Sequence, residues 1–143
     1  MNPVNAYSDA EIKMLLHPQA LTAHDGKAVG NIVDTKPYKG IGALVMAHSG
    51  IYDTDATKTP SMAMKLQTCA TTGGSYADVT GAAFTTVAAD SGDTVGTPGV
   101  EALAVDFRTC KRYIKLYQTL PTATSNVPKI VAGVVLVAPK SAT

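Results

Sequence analysis

The chain has 143 residues, a formal net charge of +1 and only 16% charged residues. A chain of this length favours one domain, with a core large enough to need neither metal nor disulfides. The near-neutral charge argues against direct binding of nucleic acid or an anionic membrane. No segment has the ~20 apolar residues that span a bilayer, and the first residues lack the pattern of a signal peptide, so we expect synthesis in the cytoplasm.

Residues 1–27 form the first predicted unit, an N-terminal arm. Residues 8–11 (SDAE) fit a capping box, which marks the start of a helix. Pro18 then marks its end. The apolar residues between these signals fall on one helical face: Ile12, Leu15 and Leu16. We therefore predict a short helix over about residues 9–17, which packs either against the domain or against another subunit because two turns are marginal alone.

From residue 28 the apolar spacing changes to every second residue, which is typical of strands. Residues 28–143 are predicted to form an all-β domain, a β-sandwich or barrel of the jelly-roll kind with about seven to eight strands. The predicted strands cover residues 29–33, 41–48, 62–67, 76–79, 83–88, 101–107, 111–120 and 129–137.

The last predicted strand is apolar on both faces. Ile130, Ala132, Val134 and Leu136 alternate with a second set made of Val131, Val135 and Val137. Such a strand is either central in its sheet or covered on its second face by another subunit.

No group of residues has the spacing of a catalytic or metal site. The three histidines are scattered along the chain: His17, His24 and His48. Asp53 and Asp55 lack the glycine and the later glutamate of a calcium loop. Cys69 and Cys110 lie outside any C-x-x-C pair and are expected to be buried thiols. We therefore expect no enzyme activity, no cofactor and no metal.

The densest group of cations consists of Arg108, Lys111, Arg112 and Lys115. Strand alternation places Lys111 and Lys115 on a face with Tyr113, and Arg112 on the opposite face. One interpretation is a solvated strand face with lysine stems over apolar neighbours. The other is a subunit contact in which arginines pair with carboxylates of a neighbour. Stacking of nucleic-acid bases on the tyrosines is disfavoured by the nearly neutral chain.

Four segments together resemble a group of small β-rich virion proteins of tailed bacteriophages. They are IVDTK (32–36), MKLQ (64–67), ADVTGAAFTTV (77–87) and VDFRTCKRYIKL (105–116). The resemblance covers roughly residues 28–120. It implies a structural protein of the virus particle, of the capsid decoration or cement type.

Such proteins are similar to small β-sandwiches that bind the outside of an assembled head, often as trimers. The resemblance implies that the partners are the major capsid protein and further copies of this chain, and that the location is the capsid surface of the virion. The expected role is to stabilise the shell against internal DNA pressure. The residues that we predict in subunit or capsid contacts are Ile12, Leu15, Leu16, Arg108, Lys111, Arg112, Lys115, Val131, Val135 and Val137.

Two alternatives belong to other classes. The first is another virion component, such as a tail protein, with the same β-rich composition. The second is a monomeric β-sandwich module that binds glycan, which is disfavoured because the chain has 6% aromatic residues and no Trp.

Overall fold

The computed structural model describes residues 10–21, 24–51, 60–88, 96–120 and 130–140. The all-β prediction is confirmed, and no helix in this part of the chain is long and apolar enough to cross a membrane. The described strands are β1 (Ala10–Leu21), β2 (His24–Asp34), β3 (Ile41–His48), β4 (Ser61–Cys69), β5 (Ala77–Ala83), β6 (Val87–Ala88), β7 (Gly99–Asp106), β8 (Tyr113–Leu120) and β9 (Ile130–Pro139).

The strands form two antiparallel sheets. Sheet I has the order β1-β9-β3-β7, and sheet II has the order β2-β8-β4-β5 with the short β6 also paired to β4. Four antiparallel pairs follow one another along a single two-stranded ribbon, whose chain reverses direction between β4 and β5. They are β1–β9, β2–β8, β3–β7 and β4–β5. Winding this ribbon places its successive pairs alternately in sheet I and sheet II, which is the topology of a jelly roll.

The core lies between the two sheets and is built by strand alternation. On β9, Val134 and Leu136 are fully buried, and on β8 the same is true of Ile114 and Leu116. All four belong to one continuous apolar cluster. Of the two alternatives for the last strand, the central position is observed, because β9 lies between β1 and β3.

The predicted helix over residues 9–17 is wrong, because β1 pairs with β9 along its whole length. The register shifts between Met14 and Leu16, so that a bulge at Leu15 turns two consecutive leucines inward. Leu15 and Leu16 are 0% and 1% exposed. The bulge adds one residue to the period of two and so accounts for the two adjacent buried leucines, whereas Ile12, predicted on the same helical face, points outward. Residues 1–9 lie outside the described part, and β2 runs across the predicted boundary after residue 27.

Sheets I and II meet along one side, where β2 passes against β1 at Gly30. This glycine has a φ of +73°, and a Cβ atom there would lie 2.0 Å from the carbonyl oxygen of Leu15. The next residue, Asn31, donates a side-chain hydrogen bond of 3.5 Å to the Met14 carbonyl. Only glycine fits at position 30, because the backbone there is left-handed and because β1 and β2 approach each other too closely for a side chain.

Candidate interaction surface

The outer face of sheet I is apolar in three successive rows that cross all four of its strands. The register aligns Ile12, Val137, Ala43 and Ala104 in the first row, and Met14, Val135, Val45 and Ala102 in the second. The third row contains Gly133, Ala47 and Val100, and Pro18 packs over Gly133 on the β1 side. We call these three rows the apolar face.

Several side chains of the apolar face project into solvent. Ile12 is 71% exposed and Val100 is 74% exposed. With strands about 4.8 Å apart and same-face residues about 6.8 Å apart, the three rows cover roughly 400 Å² once their side chains are included. That is the size of the largest apolar patch on an ordinary monomer, and such patches are often functional.

The apolar face continues past its third row toward the end of β3. Val131 is 47% exposed there, and its backbone amide donates to the Ser49 hydroxyl at 3.0 Å. Met14, Pro18 and Val45 line a shallow depression together with Val131. At the opposite end, beyond the first row, the apolar face is bordered by the ion pair of Asp106 and Arg108.

The outer face of sheet II is polar, and its charges are paired within the chain. Lys65 Nζ lies 2.6 Å from Asp78 Oδ2, and the Gln67 amide donates to the other carboxylate oxygen at 2.9 Å. The hydrogen bond from Lys65 lowers the pKa of the Asp78 carboxyl, and the Gln67 amide adds to this effect.

A cationic side chain lies over each of three tyrosine rings on or beside this polar face. Lys115 Nζ lies 3.9 Å from the centre of the Tyr76 ring, and Lys65 Nζ lies 5.5 Å from that of Tyr117. The Arg112 guanidinium lies 5.1 Å from the Tyr113 ring centre. These distances are those of cation–π contacts. We call Lys65, Gln67, Tyr76, Asp78, Tyr113, Lys115 and Tyr117 the charged face.

The predicted basic cluster is largely neutralised by the chain itself. Arg112 Nη2 lies 3.0 Å from Asp34 Oδ2, and Arg108 binds Asp106 through Nε and Nη2 at 2.8 and 2.7 Å. Each arginine lowers the pKa of its carboxylate partner, chiefly through these hydrogen bonds. Lys111 has an exposed side chain, and its backbone amide donates to the buried Thr68 hydroxyl at 2.7 Å.

The remaining predicted contact residues divide between the surface and the core. Val131, Val135 and Val137 lie on or beside the apolar face, as does Ile12, whereas Leu15 and Leu16 are buried in the sandwich. The contact role of all of them stays a prediction. Sequence reasoning missed the contribution of β3 and β7, for which the apolar residues on both faces of segment 41–48 were the available signal.

A second concave region is an open cleft of about 590 Å³ between β1 and the turn that follows β2. Its charges also pair locally, since Lys13 Nζ lies 2.9 Å from Glu11 Oε1. Asp34, which lines the cleft as well, binds Arg112. Burial raises the pKa of Tyr38 at the base of this cleft, and the nearby Glu11 carboxylate adds to the shift.

The cysteines and the candidate metal ligands form no cluster in the described part of the chain. Cys69 and Cys110 are free thiols, the first buried and the second half-buried, and burial raises the pKa of Cys110. Within the described ranges, no three His, Cys, Asp or Glu side chains lie close enough to hold a metal ion. Asp53 and Asp55 lie outside the described residues.

No family model matches this chain, and no curated protein matches it either. Among solved structures, the chain is similar to a chain of infectious bursal disease virus, Gx strain, with 11% identity and a TM-score of 0.39 over 91% of this chain and 32% of that one. It is also similar to a chain of Desmodium yellow mottle tymovirus, with 13% identity and a TM-score of 0.28 over 94% of this chain and 91% of that one. The chain thus spans about a third of the first structure.

Proposed function

We propose that this chain is a structural protein of a virus particle, and in particular a capsid decoration protein of a tailed bacteriophage. It binds the major capsid protein on the outside of the assembled head, forms homotrimers and has no catalytic activity. Two observations support the class: the sequence resemblance over roughly residues 28–120, and the jelly-roll topology, which occurs in viral capsid domains as well as in lectins and cupins.

The observation that carries the proposal is the apolar face. Antiparallel sheets that face water normally alternate apolar residues inside with polar residues outside. The outer rows of sheet I depart from that pattern across all four strands. A face of this kind is stabilised when another protein surface covers it, as happens on an assembled shell.

The size of the apolar face favours binding by several linked copies. Burial of roughly 400 Å² at about 25 cal/mol per Å² corresponds to roughly 10 kcal/mol of gross stabilisation. Loss of translational and rotational freedom on association costs about 4–15 kcal/mol. One copy therefore binds weakly, whereas copies linked in a trimer bind jointly through their high effective concentration.

A glycan-binding module is the second candidate, because tyrosines on an open sheet face are a typical platform for sugars. In this chain a cation already lies over each of these rings. Lys115 lies over Tyr76, Arg112 lies over Tyr113, and Lys65 lies over Tyr117. A sugar ring stacking there would have to displace a cation at each ring. This arrangement favours the structural role.

The test is co-sedimentation of the purified chain with heads that lack it, using two matched substitutions. Ile12→Lys places a charge on the apolar face, whereas Ile32→Lys places the same charge at a 47% exposed isoleucine on β2, outside that face. Burying an unpaired ammonium is costly, so we expect Ile12→Lys to weaken binding roughly tenfold or more, a loss of about 1.4 kcal/mol or greater. Ile32→Lys should bind like the unchanged chain.

The same material separates the alternatives. If the unchanged chain does not sediment with heads, or if both variants bind equally well, the apolar face is not the head-binding surface. The solution mass by light scattering tests the trimer. Long polymers in that measurement would indicate a tail component instead.

A further inference from the structure

The two edges of sheet I are built differently. β1 has register shifts on both sides of Leu16, contains Pro18, and is closed against β2 at Gly30. β7 pairs with β3 without interruption from Ile41↔Asp106 to His48↔Gly99. No described strand pairs with the other side of β7.

The hydrogen-bond pattern identifies the groups that point away from β3. The Phe107 amide donates to the Gly40 carbonyl at 2.9 Å, which makes this a hydrogen-bonded pair. Because such pairs alternate along an antiparallel ladder, odd-numbered residues of β7 bond to β3. The backbone amides and carbonyls of Val100, Ala102 and Ala104 therefore face the open edge.

Among the described residues, β7 has no bulge and no proline within the strand, and β5, which passes close to β7, forms no ladder with it. Natural sheet edges carry bulges, prolines or outward charges that prevent pairing with another chain. Glu101 is used internally, since its carboxylate accepts from the Thr85 amide at 2.9 Å and from the Thr85 hydroxyl at 3.1 Å. Asp106, at the end of the strand, is held by Arg108.

We propose that β7 pairs with β7 of a second copy of this chain, antiparallel and about a two-fold axis at Ala102. Ala102 then lies opposite the partner's Ala102, and Val100 lies opposite the partner's Ala104. This register forms about six new backbone hydrogen bonds, two for each hydrogen-bonded pair.

The charges on β7 select this register. A shift of two residues in one direction places Glu101 opposite the partner's Glu101, and like charges directly opposite are destabilising. A shift in the other direction places the apolar Val100 opposite the partner's Asp106. The central register opposes only small apolar side chains on the outer face, which makes the edge complementary to itself and favours a second copy as its occupant.

This contact goes beyond the proposed function, because it joins two chains whether or not the apolar face binds a shell. A trimer has no two-fold axis, so the contact links chains of two neighbouring trimers. It also places two apolar faces side by side in one continuous sheet.

Disulfide trapping tests the register directly. Opposite residues in a hydrogen-bonded pair have Cα atoms about 5.5 Å apart, within the range of a disulfide. In a Cys110→Ser background oxidised with glutathione, we expect Ala102→Cys alone to give a covalent dimer. The Val100→Cys chain and the Ala104→Cys chain should each remain monomeric on its own, and the two should form a covalent dimer when they are mixed.

The matched control is Ala63→Cys, an exposed alanine on β4, which has neighbours on both sides in sheet II. We expect Ala102→Cys to give roughly tenfold more dimer, because pairing raises the effective concentration of the two thiols. A dimer yield no higher than that of Ala63→Cys overturns the proposal. So does stronger crosslinking by Ala47→Cys, which reports stacking of two apolar faces.

A second variant keeps the test independent of thiol chemistry. Ala102→Pro removes an amide that faces the open edge, so the monomer keeps its own ladder, and its thermal melting verifies the fold. We expect it to abolish the crosslink between Val100→Cys and Ala104→Cys chains; a crosslink that persists overturns the register. Head co-sedimentation is scored separately, so that failure of β7 pairing and failure of the proposed function are distinguishable.

Discussion

The apolar face and the charged face lie on opposite sides of the same sandwich and obey the same alternation, yet they are completed in different ways. On the charged face, Asp78 binds Lys65 and Gln67, and lysines cover tyrosine rings. On the apolar face, the outward residues are alanine, valine, isoleucine, methionine and one glycine, and none of their side chains has a polar group. The charged face pairs its charges within one chain, whereas the apolar face is exposed in the single chain, and we propose that another surface covers it.

The difference shows which part of each strand encodes the fold and which part encodes interaction. The inward residues of both sheets are similar, because both sheets contribute to one buried cluster. The outward positions can hold either polar or apolar residues. Water solvates lysine and aspartate there, and a partner surface can cover valine. The fold therefore leaves the outward residues free to vary, and the proposed function accounts for the apolar choice on sheet I.

The largest expected effect is a difference in stability between substitutions on the two faces of β9. Leu136→Ala removes a side chain with 0% exposure and should lower the free energy of unfolding by about 2–5 kcal/mol. Val135→Ala, one residue earlier on the apolar face, should cost well under half of that because the side chain is only half-buried. Urea unfolding of both variants measures the difference; equal losses would mean that the apolar face is already covered within the monomer.

A smaller effect is expected at the inner side of the charged sheet. The Thr68 hydroxyl, 6% exposed, accepts from the Lys111 amide at 2.7 Å and donates to the Tyr113 carbonyl at 3.1 Å. Thr68→Val keeps the shape and leaves that amide without its acceptor, which should cost about 1–3 kcal/mol. The exposed Thr80→Val is the control for urea unfolding and should change stability very little.

Acidification should weaken the charged face through Asp78. The hydrogen bond from Lys65 lowers the pKa of Asp78 below its ordinary 3.8. The folded state therefore holds this proton less tightly than the unfolded state, so the stabilisation is present above pH 3.8 and is lost as the pH falls through the lowered pKa. Asp78→Asn should reduce the loss of stability between pH 7 and pH 3, measured by urea midpoints. Val135→Ala should leave the pH profile unchanged, and an unchanged profile in Asp78→Asn would contradict the assignment.

The smallest effect on stability is expected from a charge placed beside the apolar face. Val131→Lys alters a 47% exposed side chain and should shift the free energy of unfolding by no more than about 0.5 kcal/mol. The same change should lower the fluorescence of an apolar dye such as ANS bound to the native chain. Ala63→Lys on sheet II provides the comparison, and equal dye binding by both variants would show that the apolar face is not the dye site.

The β-rich part of the fold could be predicted from the sequence because alternation is a local signal. The predicted strand 41–48 coincides with β3, and the predicted strand 62–67 lies within β4, whose buried side includes Met62, Met64 and Leu66. The first strand could not be predicted, since a helical spacing and a capping box are also local signals. Pairing with β9, which begins more than a hundred residues later in the chain, overrode them.

The candidate surface was predictable only in part for the same reason. The outward valines of β9 were identified from alternation, but their neighbours on β1, β3 and β7 depend on strand order, which no local pattern contains. Likewise, the partner of Arg112 is Asp34, separated from it by 78 residues. The sequence pattern placed the cation on a strand end without showing that its counter-charge lay within the chain.

The pairing of β1 with β9 also determines when the molecule can finish folding. The earliest described strand to leave the ribosome has to wait for the last one before its backbone is satisfied, and such distant pairing is slow. Until β9 emerges, the leucines of β1 have no completed sheet to enter. The rows of the apolar face run through both strands, so this face is complete only after β9 has paired with both β1 and β3.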